Sequence, residues 1–282
     1  MTPRLLILGV LLSVGLQAHA DDQTFRTINV PEAILTRAID LNAGGDIVGR
    51  YDSVDRVIHS YLLRAGERSS GNDFTSIDFP GAVATGMGGI NGCRDISGWY
   101  RNTDGQTRGY LRHERQFSLI DFPSANFTQP AKINDSGDIV GFYTSPEDGR
   151  DHGFLLRGGE FTTLDIPGAI RSEAAGITSH GDIVGHYTNA DNTTHGYLLR
   201  RGQFHSFDFP DAISTQAIGI NARRDIVGFY DDADHLTHGF LRSSESDERG
   251  NGNQNTEHDN DPRRCPPTAC SHFPNTAGRF QR

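Results

Sequence analysis

The sequence predicts an all-β fold, a five-bladed β-propeller with four strands per blade, and three observations lead there. First, one pattern recurs five times. Its third copy reads Phe117-Ser-Leu-Ile-Asp-Phe-Pro123, then Ile133-Asn-Asp-Ser-Gly-Asp-Ile-Val-Gly-Phe-Tyr143, then His152-Gly-Phe-Leu-Leu-Arg157. The opening aromatic falls at Phe25, Phe74, Phe117, Phe161 and Phe204, with spacings of 49, 43, 44 and 43 residues, a period typical of propellers and related arrays. Second, each copy breaks into four short strand-like runs divided by glycine, proline, asparagine and aspartate. In the fourth copy these runs are 161–166, 174–178, 182–187 and 195–200. Third, the last copy stops after its runs at 217–221, 225–230 and 238–242, whereas the chain begins with the missing kind of strand at 25–30. That first strand is expected to pair onto the last blade and close the ring, since an exposed strand edge invites association.

The turns are legible as well. Asn-x-x-Gly-Asp, from Asn42 to Asp46 and from Asn134 to Asp138, suits a hairpin: the amide bonds the following backbone and the glycine accepts positive φ. Arg94 and Arg224 stand in place of that glycine, so strain or an altered turn is expected there. The next hairpin carries Asp104-Gly105, Asp148-Gly149 or Asp191-Asn192, residues that tight turns prefer.

Residues 1–20 have a basic start, an apolar run too short to span a bilayer, and Ala18-His19-Ala20 before Asp21. These are the marks of a cleavable secretory signal peptide. The sequence therefore predicts a secreted or periplasmic protein with no membrane span, a propeller over 21–242, and a disordered polar tail over 243–282 that is too poor in apolar residues to fold. A net charge of −10, with Lys132 as the only lysine, excludes the basic stripe that nucleic-acid binding needs. Cys265 and Cys270 are a candidate disulfide in an oxidising compartment, which leaves Cys93 as a lone small side chain. No metal-ligand spacing and no cofactor motif is present, and the acidic loops lack the closing glutamate of a calcium loop.

The string Ile-Asn-x-x-Gly-Asp-Ile-Val-Gly-x-Tyr followed by His-Gly-Phe-Leu resembles the bacterial extracellular repeats called the HAF family, over residues 25–242. The resemblance implies export and a propeller-like fold, and little chemistry. Copy two departs from it at Ser97, Trp99 and Arg108, and copy one at Ser60.

Two kinds of position are candidates for function. Those that repeat in nearly every copy read as architecture: His152, His195 and His238 with Asp121, Asp165 and Asp208 are expected to form hydrogen-bonded latches. Those that differ between copies read as a site. On the innermost strand a recurring hydroxyl (Thr36, Thr85, Thr128, Ser172, Thr215) is followed by Arg37, Gly86, Gln129, Glu173 and Gln216. On the second strand Arg50, Trp99, Phe142, His186 and Phe229 share a position. Arg37, Trp99, Gln129, Glu173, His186 and Gln216 are the candidate ligand-binding residues, with Trp99 suited to stacking on a sugar face. Asp40 and Lys132 replace glycines deeper in the channel and are expected either to pair across it, a costly burial for stability alone, or to reach channel water.

These features suggest an exported, non-enzymatic module that binds a carbohydrate or another cell-surface ligand at the loop-rich face. A glycoside hydrolase using the channel carboxylates Glu173 and Asp40, or a protein-binding scaffold, are the alternatives. No catalytic residue is assigned and no nucleophile or metalloprotease motif occurs.

Overall fold

The computed structural model describes residues 27–65 and 73–243, whose regular elements are nineteen strands. Unit one holds β1 (Leu35–Leu41), β2 (Ile47–Asp52), β3 (Ile58–Leu63) and β4 (Phe74–Ser76). Unit two holds β5 (Ala84–Ile90), β6 (Ile96–Arg101), β7 (Thr107–His113) and β8 (Gln116–Ile120). Unit three holds β9 (Phe127–Ile133), β10 (Ile139–Thr144), β11 (Asp151–Arg157) and β12 (Glu160–Leu164). Unit four holds β13 (Ala169–Ile177), β14 (Ile183–Asn189), β15 (Thr194–Arg200) and β16 (Gln203–Phe207), and unit five holds β17 (Ser214–Ile220), β18 (Ile226–Asp231) and β19 (Thr237–Arg242). Each of the first four is an antiparallel meander, and one parallel pair, Thr194 with Ser214, joins units four and five. The phenylalanine run of each copy thus closes the sheet of the copy before it. No helix among the described residues is long and apolar enough to cross a membrane.

The apolar core lies between units. Val48 belongs to a cluster with Met87, Ile96 and Tyr110 of unit two, and Val140 to one with Ala174, Ile183 and Tyr197 of unit four. Innermost strands pack in chain order, β1 on β5, β5 on β9, β9 on β13 and β13 on β17. Val48, Val140 and Val184 are each 0% exposed, whereas their equivalent Val227 in unit five is 45% exposed and Leu241 66%. On the first unit Leu41 is 64% exposed, although its equivalents Ile90, Ile133 and Ile177 are buried. Units one and five therefore present the apolar faces that every other junction covers. Thr27–Val30 form no strand, and none among the described residues pairs with the outer edge of β19. Closure by residues 25–30 is not observed, and Phe25 lies outside the described residues.

Polar contacts reinforce the junctions. Asn42 Nδ2 donates to the carbonyl of Asn91 (3.1 Å), Asn91 Nδ2 to that of Asn134 (3.2 Å), and Asn134 Nδ2 to that of Thr178 (3.0 Å). Unit four has Thr178 where an amide would continue the series. There, Arg224 of unit five donates to Asp182 of unit four at 2.8 Å. Arg94 likewise reaches back to Asp46, which is 1% exposed, at 2.6 Å. Burial alone would raise the Asp46 pKa, but Arg94, the Ala65 amide and Asn42 together hold it below its ordinary value. Both arginines adopt positive φ, 66° and 70°, a conformation that costs an L-residue about 1–2 kcal/mol. The strain expected from sequence is present, and the arginine that bears it clamps two units together.

Cys93 is disulfide-bonded, which corrects its reading as a lone thiol. Cys265 and Cys270 lie outside the described residues, as do the expected leader at 1–20 and all of the expected tail beyond Ser243.

Candidate functional site

The two variable series meet through strand register. Arg37 pairs with Arg50, Gly86 with Trp99, Gln129 with Phe142, Glu173 with His186, and Gln216 with Phe229. Directly opposed residues in an antiparallel pair present side chains to the same face. Each pair shares its face with the valine or serine two residues before it on the second strand, so it points at the following unit. A β-bulge follows the variable residue in every first strand. The bulge presses that residue's carbonyl onto the Ile-Val-Gly glycine: a Cβ on Gly185 would lie 1.9 Å from the Glu173 oxygen. Tyr197 Oη donates to the same carbonyl at 3.1 Å. The repeat's glycine and tyrosine thereby fix the backbone of Glu173.

Between units four and five this layer opens into a cleft of about 210 Å³, lined by Arg171, Glu173, His186, Tyr187 and Gln216 among others. It brings together three of the six candidate residues. His186 Nε2 lies 3.7 Å from Glu173 Oε2, beyond hydrogen-bond reach, and its Nδ1 is buried without a partner. Burial, with the Arg171 charge adding to it, pushes the His186 pKa down to about 4, so at neutral pH the imidazole is uncharged and the contact is not an ion pair. Burial and the Asp151 carboxylate push Glu173 upward, and Arg171 opposes them. Arg171 is committed to Asp151, whose other oxygen accepts from Thr144 at 2.7 Å. Neither Glu173 nor Gln216 has a side-chain hydrogen bond to the described residues. Sequence reasoning missed Arg171, Asp151 and Tyr187. Arg171 was legible in principle: it lies two residues before Glu173 with no bulge between them, so strand alternation places both on one face.

The other units differ. Trp99 lies over Gly86, where a Cβ would meet its ring at 2.2 Å, so the missing polar residue of unit two is the space its tryptophan occupies. Phe142, beside Gln129, stacks on Phe127 at 5.4 Å. Arg37 is exposed, and Arg50 Nε is buried without a partner. The recurring hydroxyl belongs to the frame. Thr85, Thr128 and Thr215 are buried and accept the backbone N–H of Phe79, Phe122 and Phe209 at 3.0–3.1 Å, and Ser172 accepts that of Gly153. The hydroxyls fasten each Asp-x-Pro turn.

Lys132 Nζ donates to Asp40 Oδ1, bridging units one and three past Gly89 of unit two, while Asp40 Oδ2 accepts the Ile90 amide at 2.9 Å. Asp40 is thus engaged away from Glu173, and the two carboxylates of the hydrolase reading belong to separate groups. Among the described residues no cluster of three His, Cys, Asp or Glu is placed to hold a metal ion.

The repeated histidines and aspartates pair within their own units. His152 Nδ1 lies 2.8 Å from Asp165, His195 Nδ1 2.9 Å from Asp208, and His59 Nδ1 2.9 Å from Asp78. In unit two Arg108 takes the histidine's place and lies 3.3 Å from Asp121. His238, in a unit with no fourth strand, turns to Asp232 at 2.8 Å. The tyrosine of the second strand stacks on the histidine, Tyr143 on His152 at 5.4 Å and Tyr51 on His59 at 5.0 Å.

No family model and no curated protein matches the chain. Among solved structures it is similar to AofleA from Arthrobotrys oligospora, with 12% identity and a TM-score of 0.50 over 77% of this chain and 72% of that one. It is also similar to the six-bladed β-propeller lectin of Aleuria aurantia (11%, TM-score 0.43, 72% and 73%). A third is dipeptidyl peptidase 4 of Porphyromonas gingivalis (13%, TM-score 0.46), where it covers 76% of this chain but spans only 36% of the peptidase. The likeness to AofleA is one of fold, and the fold is all-β.

Proposed function

We propose that this chain is an exported β-propeller of five blades, resembling HAF repeats, that binds carbohydrate without turning it over. The observation that carries this reading is the series of unlike cross-strand pairs set in an otherwise repetitive frame. The frame's histidines engage its aspartates, and its hydroxyls and asparagines engage its backbone, whereas the pairs Arg37/Arg50, Gly86/Trp99 and Glu173/His186 differ from unit to unit. Repetition serves stacking between neighbours, so residues that break it are free to serve a ligand. Closure of the ring by residues 25–30 against β19 would also cover Val227 and Leu241. Engagement of Asp40 by Lys132 and the Ile90 amide separates it from Glu173, which disfavours the hydrolase reading built on that pair.

A glycan array probed with the full-length chain, purified from the periplasm or medium, tests the reading. Binding of a defined sugar supports it, and loss of binding in EDTA would bring the acidic loops in as metal ligands. Silence across the array would move the assignment to a protein-binding scaffold.

A further inference from the structure

We infer that one cleft, between units four and five, is the occupied site, and that it takes a single uncharged sugar ring through Glu173, His186 and Gln216. This rests on the carbohydrate reading and narrows it in three ways. The first is stoichiometry. The cleft combines a pair from unit four with a residue from unit five, and among the described residues only this junction's variable positions bring together a carboxyl, an imidazole and an amide. Trp99 fills the corresponding space over Gly86, and apolar Phe142 and Phe229 stand where His186 does.

The second is polarity. Buried polar groups are nearly always paired within a protein. Here the Glu173 carboxyl and the Gln216 amide line the cleft with no side-chain hydrogen bond to the described residues, and His186 Nε2 stands 3.7 Å from Glu173 Oε2, too far to be satisfied by it. Together they offer hydrogen-bond acceptors and donors from two walls of one cavity, as adjacent ring hydroxyls require.

The third is charge. Arg171 is the cation that lines the cleft, and it is held by Asp151. The Asp151 carboxylate offsets the Arg171 charge and Glu173 adds a carboxyl to the same cleft, so neutral hydroxylated rings fit it better than uronic or sialic acids. At about 210 Å³ the cleft is smaller than pockets that enclose drug-sized ligands, which limits it to one ring or a chain terminus.

Isothermal titration of the full-length chain with the methyl glycosides of fucose, galactose, glucose, mannose and N-acetylglucosamine, and with methyl glucuronide and N-acetylneuraminic acid, tests the inference. We expect one neutral glycoside to bind at a stoichiometry near one per chain. Glu173→Gln and His186→Phe should each weaken it at least about ten-fold, in line with loss of a hydrogen bond to a buried polar group. Units three and five already carry phenylalanine at the latter position, and Gln216→Ala serves as the milder variant if either fails to fold. Neutral-sugar binding near five per chain, binding unmoved in folded variants, or preference for the anionic sugars would overturn the inference while leaving the carbohydrate reading intact. Absence of binding to every sugar would overturn both.

Discussion

His186→Phe carries a second consequence, in stability rather than in binding. Burial beside Arg171 drives the imidazole pKa from 6.5 to about 4. Because the folded value is the depressed one, the unfolded chain takes the proton first. The stability this group contributes is therefore complete above pH 6.5, declines as pH falls through the interval from 6.5 to 4, and levels off below. Linkage puts the loss at about 2 kcal/mol by pH 5 and about 3 kcal/mol below pH 4. In a domain of this size that corresponds to a Tm lowered by roughly 4–8 °C at pH 5. The phenylalanine variant has no proton to take up. Glu173 titrates with the opposite sign, since its pKa is raised, but it is present in both proteins, as are the histidine latches, and their effects cancel to first order. Calorimetric scans of both proteins at pH 7.5, 6 and 5 and constant ionic strength give the quantity of interest, the Tm of the variant minus that of the parent. We expect the difference to rise by several degrees on going from pH 7.5 to 5. A difference that stays flat within about 1 °C, or falls, would refute the argument that His186 is buried and uncharged.

Three further outcomes follow from particular contacts. Arg94→Ala keeps the positive φ and strips buried Asp46 of its cation, and should destabilise by about 2 kcal/mol in urea titration, whereas Arg94→Gly relieves the backbone and should recover about 1 kcal/mol of that; equal effects would mean the turn is unstrained. Gly86→Ala places a Cβ 2.2 Å from the Trp99 ring and should cost about 1–3 kcal/mol with a shift in the emission of this single tryptophan, and pairing it with Trp99→Ala should remove most of that extra loss. Peptide mapping without reductant should find Cys93 joined to a peptide containing Cys265 or Cys270; a Cys265–Cys270 bridge beside an alkylated Cys93 would restore the pairing that sequence suggests.

Element order was readable because one pattern repeats five times and its punctuation is strong. The Asn-x-x-Gly-Asp turns appear where expected, with Asp46 and Asp138 amides bonded to Asn42 and Asn134. What the pattern could not convey is which neighbour a side chain serves. Arg94 looks like a defect in a turn when its own copy is read alone. Its role is visible only against Asp46, 48 residues earlier. Cys93 is obscured for the same reason, since its own copy gives no sign of the disulfide it carries.

The site follows a similar logic with a different obstacle. Composition singled out Glu173, His186 and Gln216 because they vary where everything around them repeats. Thr85 and Thr128 stand one residue before the variable position and on the opposite face of the strand, where each hydroxyl turns back to fasten the Asp-x-Pro turn. The bulge after each variable residue explains why the glycine of Ile-Val-Gly appears in every copy: it receives the displaced carbonyl of the variable residue opposite. The repeated and variable positions are thus physically coupled. A frame whose glycine and tyrosine hold the backbone of residue 173 leaves its side chain to be chosen without disturbing the fold, and that freedom is what allows one junction of a repetitive protein to differ from the others.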